Sequence, residues 1–272
     1  MPRDRRRHGE PSKPAAATSW DALATWYDGW VGEGGSEHHR QIAVPAILRI
    51  LDPQPFEQIL DVGCGQGVLA PPITQAEARY TGVDASPRLV ALARQHHGRL
   101  GRFLVGDARD LAAIPELRQA RFDAAVFLLS LQDMDPLDRV LGSVARSLKP
   151  GGRVAILLTH PAFRVPRQSG WGWDEKRKLI YRRVDRYLTP LAVPMKAYPG
   201  RDNKATTRSF HRPIEAYVNG LADQCMLVDR FDEIPGPKGP AFGASARAER
   251  LASQEIPLFL ALRGRQVAPN PL

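Results

Sequence analysis

Cysteine is scarce in this 272-residue chain. The two, Cys64 and Cys225, lie far apart and without metal-ligand spacing, which excludes a disulfide framework and a cysteine-based metal site and points to a reducing, cytoplasmic setting. No run of 18 apolar residues occurs, so no membrane span is expected. The start, MPRDRRRHGEPSKPAAA, is basic but lacks the apolar middle of a secretory signal and the glycine that myristoylation needs. Internal repeats are also lacking. What remains is an ordinary globular composition, 43% hydrophobic and 25% charged, enough for one large domain or a domain with a lid.

The net charge of +9 is unevenly placed. Residues 164–212 hold 13 Lys or Arg against four acidic residues, and residues 1–19 hold five against two. The rest of the chain is therefore slightly acidic. Residues 1–18 read as a disordered basic tail, and 160–212 as a basic insertion that can attract an anionic substrate, nucleic acid or acidic surface.

Between these segments, short apolar strands alternate with helices. Ser19 is expected to cap a helix through Trp20–Trp30 with Asp21 at its positive end, and Glu37–Leu51 carries a helical apolar face interrupted by Pro45. Strands are expected at Gln58–Val62, Arg79–Val83, Arg102–Val105, Phe122–Leu129 and Arg153–Thr159. Ser86-Pro87 opens a helix to about His97, and a further helix spans Pro136–Leu148. After Thr159 the rhythm breaks for some fifty residues. In that break Leu179, Ile180, Val184 and Leu188 share a helical face within 174–188, and Arg182, Arg183 and Arg186 point elsewhere. The pattern resumes with a helix at Pro213–Cys225, a strand at Met226–Glu233, a loop at Gly236–Ala246 and a last strand at Ile256–Leu262. This alternation predicts an α/β fold: a Rossmann-like, seven-stranded, mostly parallel sheet flanked by helices, with a lid insertion after strand five.

Three signals stand at successive strand ends, where open α/β sheets bind ligands. Asp61-Val62-Gly63-Cys64-Gly65-Gln66-Gly67 follows the first strand, and its glycines permit positive φ and close approach to a ligand. Asp84 ends the second strand, where a carboxylate can accept both hydroxyls of a ribose, although an aspartate there also serves as a helix cap, a role for which Ser86 is the more natural residue. Asp107 follows the third and can accept from an adenine amino group. The spacing GxGxG, with a third acidic residue after strand three, differs from the GxGxxG of nicotinamide-binding folds.

Together the stretches ILDVGCGQG, YTGVDASPRLVALAR, FLVGDARDL, RFDAAVFLLSLQDMD and RSLKPGGRVAILL resemble the class I S-adenosylmethionine-dependent methyltransferases, in particular the small-molecule, type 11 branch that includes quinone-biosynthesis enzymes. The resemblance covers residues 20–160 closely and 213–262 loosely. It implies S-adenosylmethionine as cofactor. Gly63, Gly65 and Gly67 would line its methionine part with Asp61 near the amino group. Asp84 would hold the ribose with Ala85 beside the adenine, and Asp107 the adenine amino group with Ala108 beside it. Phe127 and Leu128 would border the sulfonium, and Tyr27 would cover the cofactor or serve as a core aromatic. Where related enzymes often carry histidines after strand four, this chain has Gln132-Asp133. Gln132, His160 and His211 are left as candidates for acceptor chemistry, with Asp133 as a cap for the next helix. Lone histidines are as readily structural. No metal is implied.

In relatives an insertion after strand five forms a lid over the acceptor. Here its arginines would recognise phosphate or carboxylate, or solvate a surface helix, and Trp171 and Trp173 would stack on a planar acceptor or anchor the lid. The leading reading is a cytoplasmic methyltransferase with a small-molecule acceptor. The alternative is an RNA methyltransferase whose basic tail, insertion and tryptophans track a backbone and stack bases. Against it, no RNA-binding module and no NPPY-like tetrapeptide occur. A non-enzymatic binding module would not need the intact glycine loop and both ligand-facing aspartates.

Overall fold

In the computed structural model, the residues described are 20–32, 34–196, 206–239, 243 and 245–267. The basic tail and the expected Ser19 cap lie outside them.

A seven-stranded sheet forms the centre. Its strands are β1 (Gln58–Val62), β2 (Arg79–Asp84), β3 (Gly101–Val105), β4 (Phe122–Leu128), β5 (Leu148–Thr159), β10 (Met226–Ile234) and β11 (Phe259–Gln266), in the order β10-β11-β5-β4-β1-β2-β3. The first five run parallel, and β11 runs antiparallel between β5 and β10. The helices are α1 (Ala24–Val31), α2 (Val44–Leu51), α3 (Ala70–Gln75), α4 (Pro87–His97), α5 (Leu137–Ser147), α6 (Ile214–Ala222) and α7 (Ala246–Glu255). Strand order reverses between β1 and β4, so the crevice at their carboxyl ends receives the glycine loop.

The central strands are apolar on both faces because both are covered. Leu60, Val62, Phe127 and Ile156 join a core with α5 and α6, and Ile59, Ala124, Val126 and Leu157 join another with α2, α3 and α4. One charged side chain is built into this frame. Arg153, almost fully buried, donates to the Leu51 and Asp52 carbonyls and to both oxygens of Glu57, at 2.6–2.9 Å. Among the described residues no helix is long and apolar enough to cross a membrane, and no side-chain group suits a metal ion.

Pro45 is accommodated at the first turn of α2, which a short π-helical segment, His39–Ala43, precedes. Pro71 and Pro72 likewise occupy the first turn of α3, where their missing N–H groups cost nothing. Ser86 caps α4 as expected, accepting from the Leu89 N–H at 3.2 Å. Asp21 reaches across the chain to the same terminus. It accepts from the Ser86 hydroxyl (2.8 Å) and the Arg88 N–H (3.0 Å), and these bonds hold its carboxyl below the usual range.

Three expectations about these elements fail. Residues 174–188 contain no helix: β6 (Ser169–Asp174) and β7 (Leu179–Val184) form a hairpin. The side chain of Asp174 accepts from the N–H groups of Lys176 and Arg177, both at 3.0 Å, and folds the turn. Local hydrogen bonding of this kind competes with helix formation. A second hairpin joins β8 (Leu191–Lys196) to β9 (Thr206–His211). The helix α7 was not foreseen, and β11 begins three residues later than the strand read at Ile256. Asp133 does not cap α5, whose cap position is Pro136 with no side-chain bond.

Candidate cofactor and acceptor site

The glycine loop leaves β1 through Gly63, Gly65 and Gly67, with φ of 72°, 54° and 87°. Gly63 is doubly constrained: a Cβ there would stand 2.6 Å from Ser130 Cβ and 2.7 Å from Met134 Cε. The segment after β4 therefore lies directly against the loop. Ser130 fixes it by donating to the Val62 carbonyl at 2.7 Å. Gly65 opens toward Tyr27, whose ring lies 3.7 Å from where a Cβ would be.

Asp84 is oriented before any ligand arrives. Its two oxygens accept separately from the Gly65 N–H (2.9 Å) and the Ser86 N–H (2.8 Å). Burial raises its carboxyl above the ordinary range against these two bonds. Each oxygen keeps lone-pair capacity for a hydroxyl donor.

Asp61 is 2% exposed. Its Oδ2 accepts from the Tyr80 hydroxyl at 2.7 Å, while its Oδ1 is buried with no hydrogen-bond partner. Burial, opposed by the Tyr80 bond and reinforced by the charge of Asp84, brings the carboxyl to about 7. The Oε1 of Gln66, 1% exposed, is likewise unpartnered, while the Gln66 Nε2 donates to the Gly32 carbonyl. Both side chains line a cavity of about 20 Å³, with Tyr27, His39, Gly63, Cys64 and Leu128 also on its wall. Unmade hydrogen bonds to buried groups cost about 1–3 kcal/mol each. Two buried acceptors without partners thus share one wall of this cavity.

The cover is helix α1 and the turn before it. Tyr27 packs edge-on against Trp20 at 5.3 Å between centroids, and Asp28 pairs with His96 of α4 at 3.3 Å. Burial and the charges of Asp84, Asp133 and Asp61 push the Tyr27 hydroxyl well above its usual range, so its proton stays in place.

Other sequence candidates sit differently. Leu128 borders the cavity, but Phe127 does not: successive strand residues face opposite ways, and the Phe127 ring is wholly buried in the core with Val62 and Leu131. Asp107 lies one strand outward. Its carboxylate is held by the Arg109 guanidinium and N–H, at 2.9 Å for Nε and N, which keeps its pKa low. It borders a cleft of about 350 Å³ with Gly106, Asp110 and Ile114. Ala85 is exposed beyond β2, and Ala108 is buried beneath the turn that Asp107 caps.

The acid–base candidates largely disperse. His160 is 1% exposed, and both ring nitrogens are committed: Nδ1 accepts from the Ala162 N–H (3.2 Å) and Nε2 faces Glu233 Oε1 (3.0 Å). It ties β5 to β10. Gln132 accepts from the Thr159 N–H at 3.0 Å, which ties the segment after β4 to the end of β5. His211, buried, donates through Nε2 to the Tyr187 carbonyl at 2.7 Å. It shares one face of β9 with buried Thr207 and Ser209.

Asp133 was not selected as an acid–base candidate from the sequence. Burial raises its carboxyl to about 7, opposed by the nearby Ser209 and Trp20 side chains.

Comparisons with known proteins agree with this geometry. Residues 60–156 match the methyltransferase domain family. The ubiquinone biosynthesis O-methyltransferase of Xylella fastidiosa is 29% identical over 151 residues, 53% of this chain and 60% of that protein. The 23S rRNA (uracil(1939)-C(5))-methyltransferase of Acidithiobacillus ferrooxidans is 36% identical over 121 residues, 44% of this chain and 27% of that protein. The chain thus spans less than two thirds of either relative. A crystal structure of an S-adenosylmethionine-dependent methyltransferase from Mesorhizobium loti shares the fold, with a TM-score of 0.64, 24% identity, and coverage of 82% of this chain and 96% of that one. Residues 60–156 thus match a methyltransferase domain, and the chain shares the fold of the Mesorhizobium loti methyltransferase.

Proposed function

We propose that this protein transfers the methyl group of S-adenosylmethionine to a small-molecule acceptor. The observation that carries the reading is the pair of orphan acceptors, Asp61 Oδ1 and Gln66 Oε1, beside a glycine loop and a preoriented Asp84. Asp61 and Gln66 would hold the cofactor's ammonium, Asp84 its ribose hydroxyls, and Gly63 and Gly65 would let the backbone approach it. Asp107, Ala85 and Ala108 would frame the adenine, with Arg109 yielding part of its hold on Asp107. When bound, the cofactor supplies an electrophilic methyl group whose reaction demands mainly in-line alignment. Leu128 and Tyr27 would keep water from that point.

A cavity of about 20 Å³ holds one water, far below the ~300 Å³ or more of a small-molecule site. Binding therefore requires α1 and Tyr27 to swing outward and close again. The cover of α1 and Tyr27 over the glycine loop suits a small acceptor rather than a polymer. The insertion's cations support the same reading. Arg164 and Arg182 stack on Trp171 at 4.9 and 5.0 Å, Arg182 also donates to the Phe163 carbonyl at 2.7 Å, and Arg212 pairs with Asp135 at 2.7 Å. These groups are spent on building the insertion rather than left to track phosphates.

The test is turnover of methyl-labelled S-adenosylmethionine with host extract split into RNA, protein and small-molecule pools. Label in the small-molecule pool is expected. Label confined to RNA, with steep loss at higher salt, would replace the reading with nucleic-acid methylation.

A further inference from the structure

We infer that His39 is a cofactor-binding residue that donates its Nε2–H to the carboxylate at the amino-acid end of S-adenosylmethionine, so that the site selects a zwitterion. The inference rests on the methyltransferase reading and deepens it at the cofactor's charged end.

His39 is 6% exposed and lines the same cavity as Asp61 and Gln66. It opens the π-helical segment His39–Ala43, a local widening of the helix that is frequent at functional sites. The segment runs straight into α2, whose Ile47 and Leu51 are wholly buried in one core with Ile59 of β1. On its other side the chain is closely packed. A Cβ on Gly35 would stand 2.8 Å from His39 Cβ, and the Arg40 guanidinium donates to the Gly35 carbonyl. His39 therefore belongs to the anchored wall of the cavity, not to the cover formed by α1.

Ser36 sets the tautomer. Its Oγ lies 2.8 Å from His39 Nδ1 and also accepts from the His39 backbone N–H at 3.4 Å. With that oxygen accepting from the chain, its own proton goes to Nδ1, and the neutral ring carries its hydrogen on Nε2. The opposite tautomer would make Nε2 an acceptor on a wall that already holds two acceptors without partners, Asp61 Oδ1 and Gln66 Oε1. Among the described residues no group bonds Nε2. Burial and the charge of His38 hold the ring below the usual histidine range, so it serves as a neutral donor.

The amino-acid end of the cofactor carries an ammonium and a carboxylate on one carbon. Asp61 and Gln66 supply acceptors for the ammonium, and the carboxylate needs a donor. Among the described residues no Lys or Arg lines the cavity. Gln66 gives an amide N–H to the Gly32 carbonyl, and the Cys64 thiol is directed to the Gly65 carbonyl at 3.7 Å. The His39 imidazole is the side-chain donor that remains on the anchored wall. Acceptors and a donor on one small cavity match the two charges of a zwitterion.

The test is calorimetry of wild type, His39→Ala and His39→Gln with two probes, S-adenosylmethionine and its decarboxylated analogue, which keeps the ammonium, sulfonium, ribose and adenine. Wild type is expected to prefer S-adenosylmethionine by about 10–100-fold, the worth of one charge-assisted hydrogen bond. H39A should lose that preference while binding the analogue as wild type does. H39Q, whose amide N–H can reach toward the place of Nε2, should regain part of it. A merely structural histidine would weaken both probes alike, and that result overturns the inference, as does an H39A protein that keeps the wild-type preference. The second readout needs no ligand: nitrogen-15 resonances of the histidine rings, with H39Q identifying the His39 signals. A protonated Nε2 beside a bare Nδ1 supports the donor, and the reverse overturns it. If H39A does not fold, H39Q and these resonances decide. A wild type that binds neither probe brings down the cofactor reading together with this inference. One that binds both equally brings down the inference alone.

Discussion

Asp61 gives the sharpest quantitative expectation. An ordinary aspartate has a pKa of 3.8, and this one stands at about 7 in the ligand-free protein. The native state therefore holds a proton that the unfolded chain releases at lower pH. The sign follows: below about 4 both states are protonated and nothing is lost. Between about 4 and 7 stability falls as pH rises, and above 7 the full cost is present. At 1.36 kcal/mol per unit, about three units amount to roughly 4 kcal/mol as an upper figure. A ligand that brings an ammonium to Oδ1 reverses the balance, because it binds the anion and expels the proton. The dissociation constant for S-adenosylmethionine should fall about tenfold per pH unit below 7 and level off above it. Calorimetry at pH 5.5, 6.5, 7.5 and 8.5, repeated in buffers of different ionisation enthalpy, measures both the trend and the proton released. In Asp61→Asn the affinity should be weaker and nearly independent of pH. A wild-type constant that stays flat from pH 5.5 to 7.5, with no proton released, refutes the assignment of Asp61 to the ammonium.

Other expectations follow from the same geometry. Gly63→Ala combines a positive φ with Cβ contacts of 2.6–2.7 Å and should lower stability by about 2–4 kcal/mol, whereas Gly65→Ala, whose nearest contact is 3.7 Å, should cost about 1–2 kcal/mol. Denaturant titration separates them, and equal losses would contradict the crowding seen at Gly63. Asp84→Ala should abolish cofactor binding with the fold intact, and unchanged binding in calorimetry would refute the ribose assignment. His160→Gln should lower the melting temperature but keep the rate of label transfer within about threefold, since both ring nitrogens are structural. Loss of turnover without loss of stability would restore it as a base. Glu57→Gln strands the nearly buried Arg153 guanidinium and should cost about 3–5 kcal/mol in urea unfolding. A change under 1 kcal/mol would mean that the pair contributes little.

Much of the fold was legible because its signals are local. Apolar runs bounded by turns located β1 to β5, Ser86-Pro87 located the start of α4, and glycines and aspartates at strand ends marked the ligand crevice. The insertion was misread for a physical reason as well. Its apolar residues fit a helical face, but the turn made by Asp174 and the pairing of Trp171 with Arg182 and Trp173 with Ile180 favour a hairpin. Composition also overstated the insertion's basic face, since Arg164, Arg182 and Arg212 are absorbed by Trp171, backbone carbonyls and Asp135.

By itself the sequence determined the sheet and the glycine loop at its crevice, because strand periodicity and glycine spacing are properties of consecutive residues. Only the tertiary structure decided which acids are in play. Asp107 is paired with a guanidinium, Asp84 is held by two backbone N–H groups, and Asp61 has one oxygen without a partner. A side chain's proton affinity depends on burial and on neighbours brought from far along the chain, and neither is written in the residues beside it.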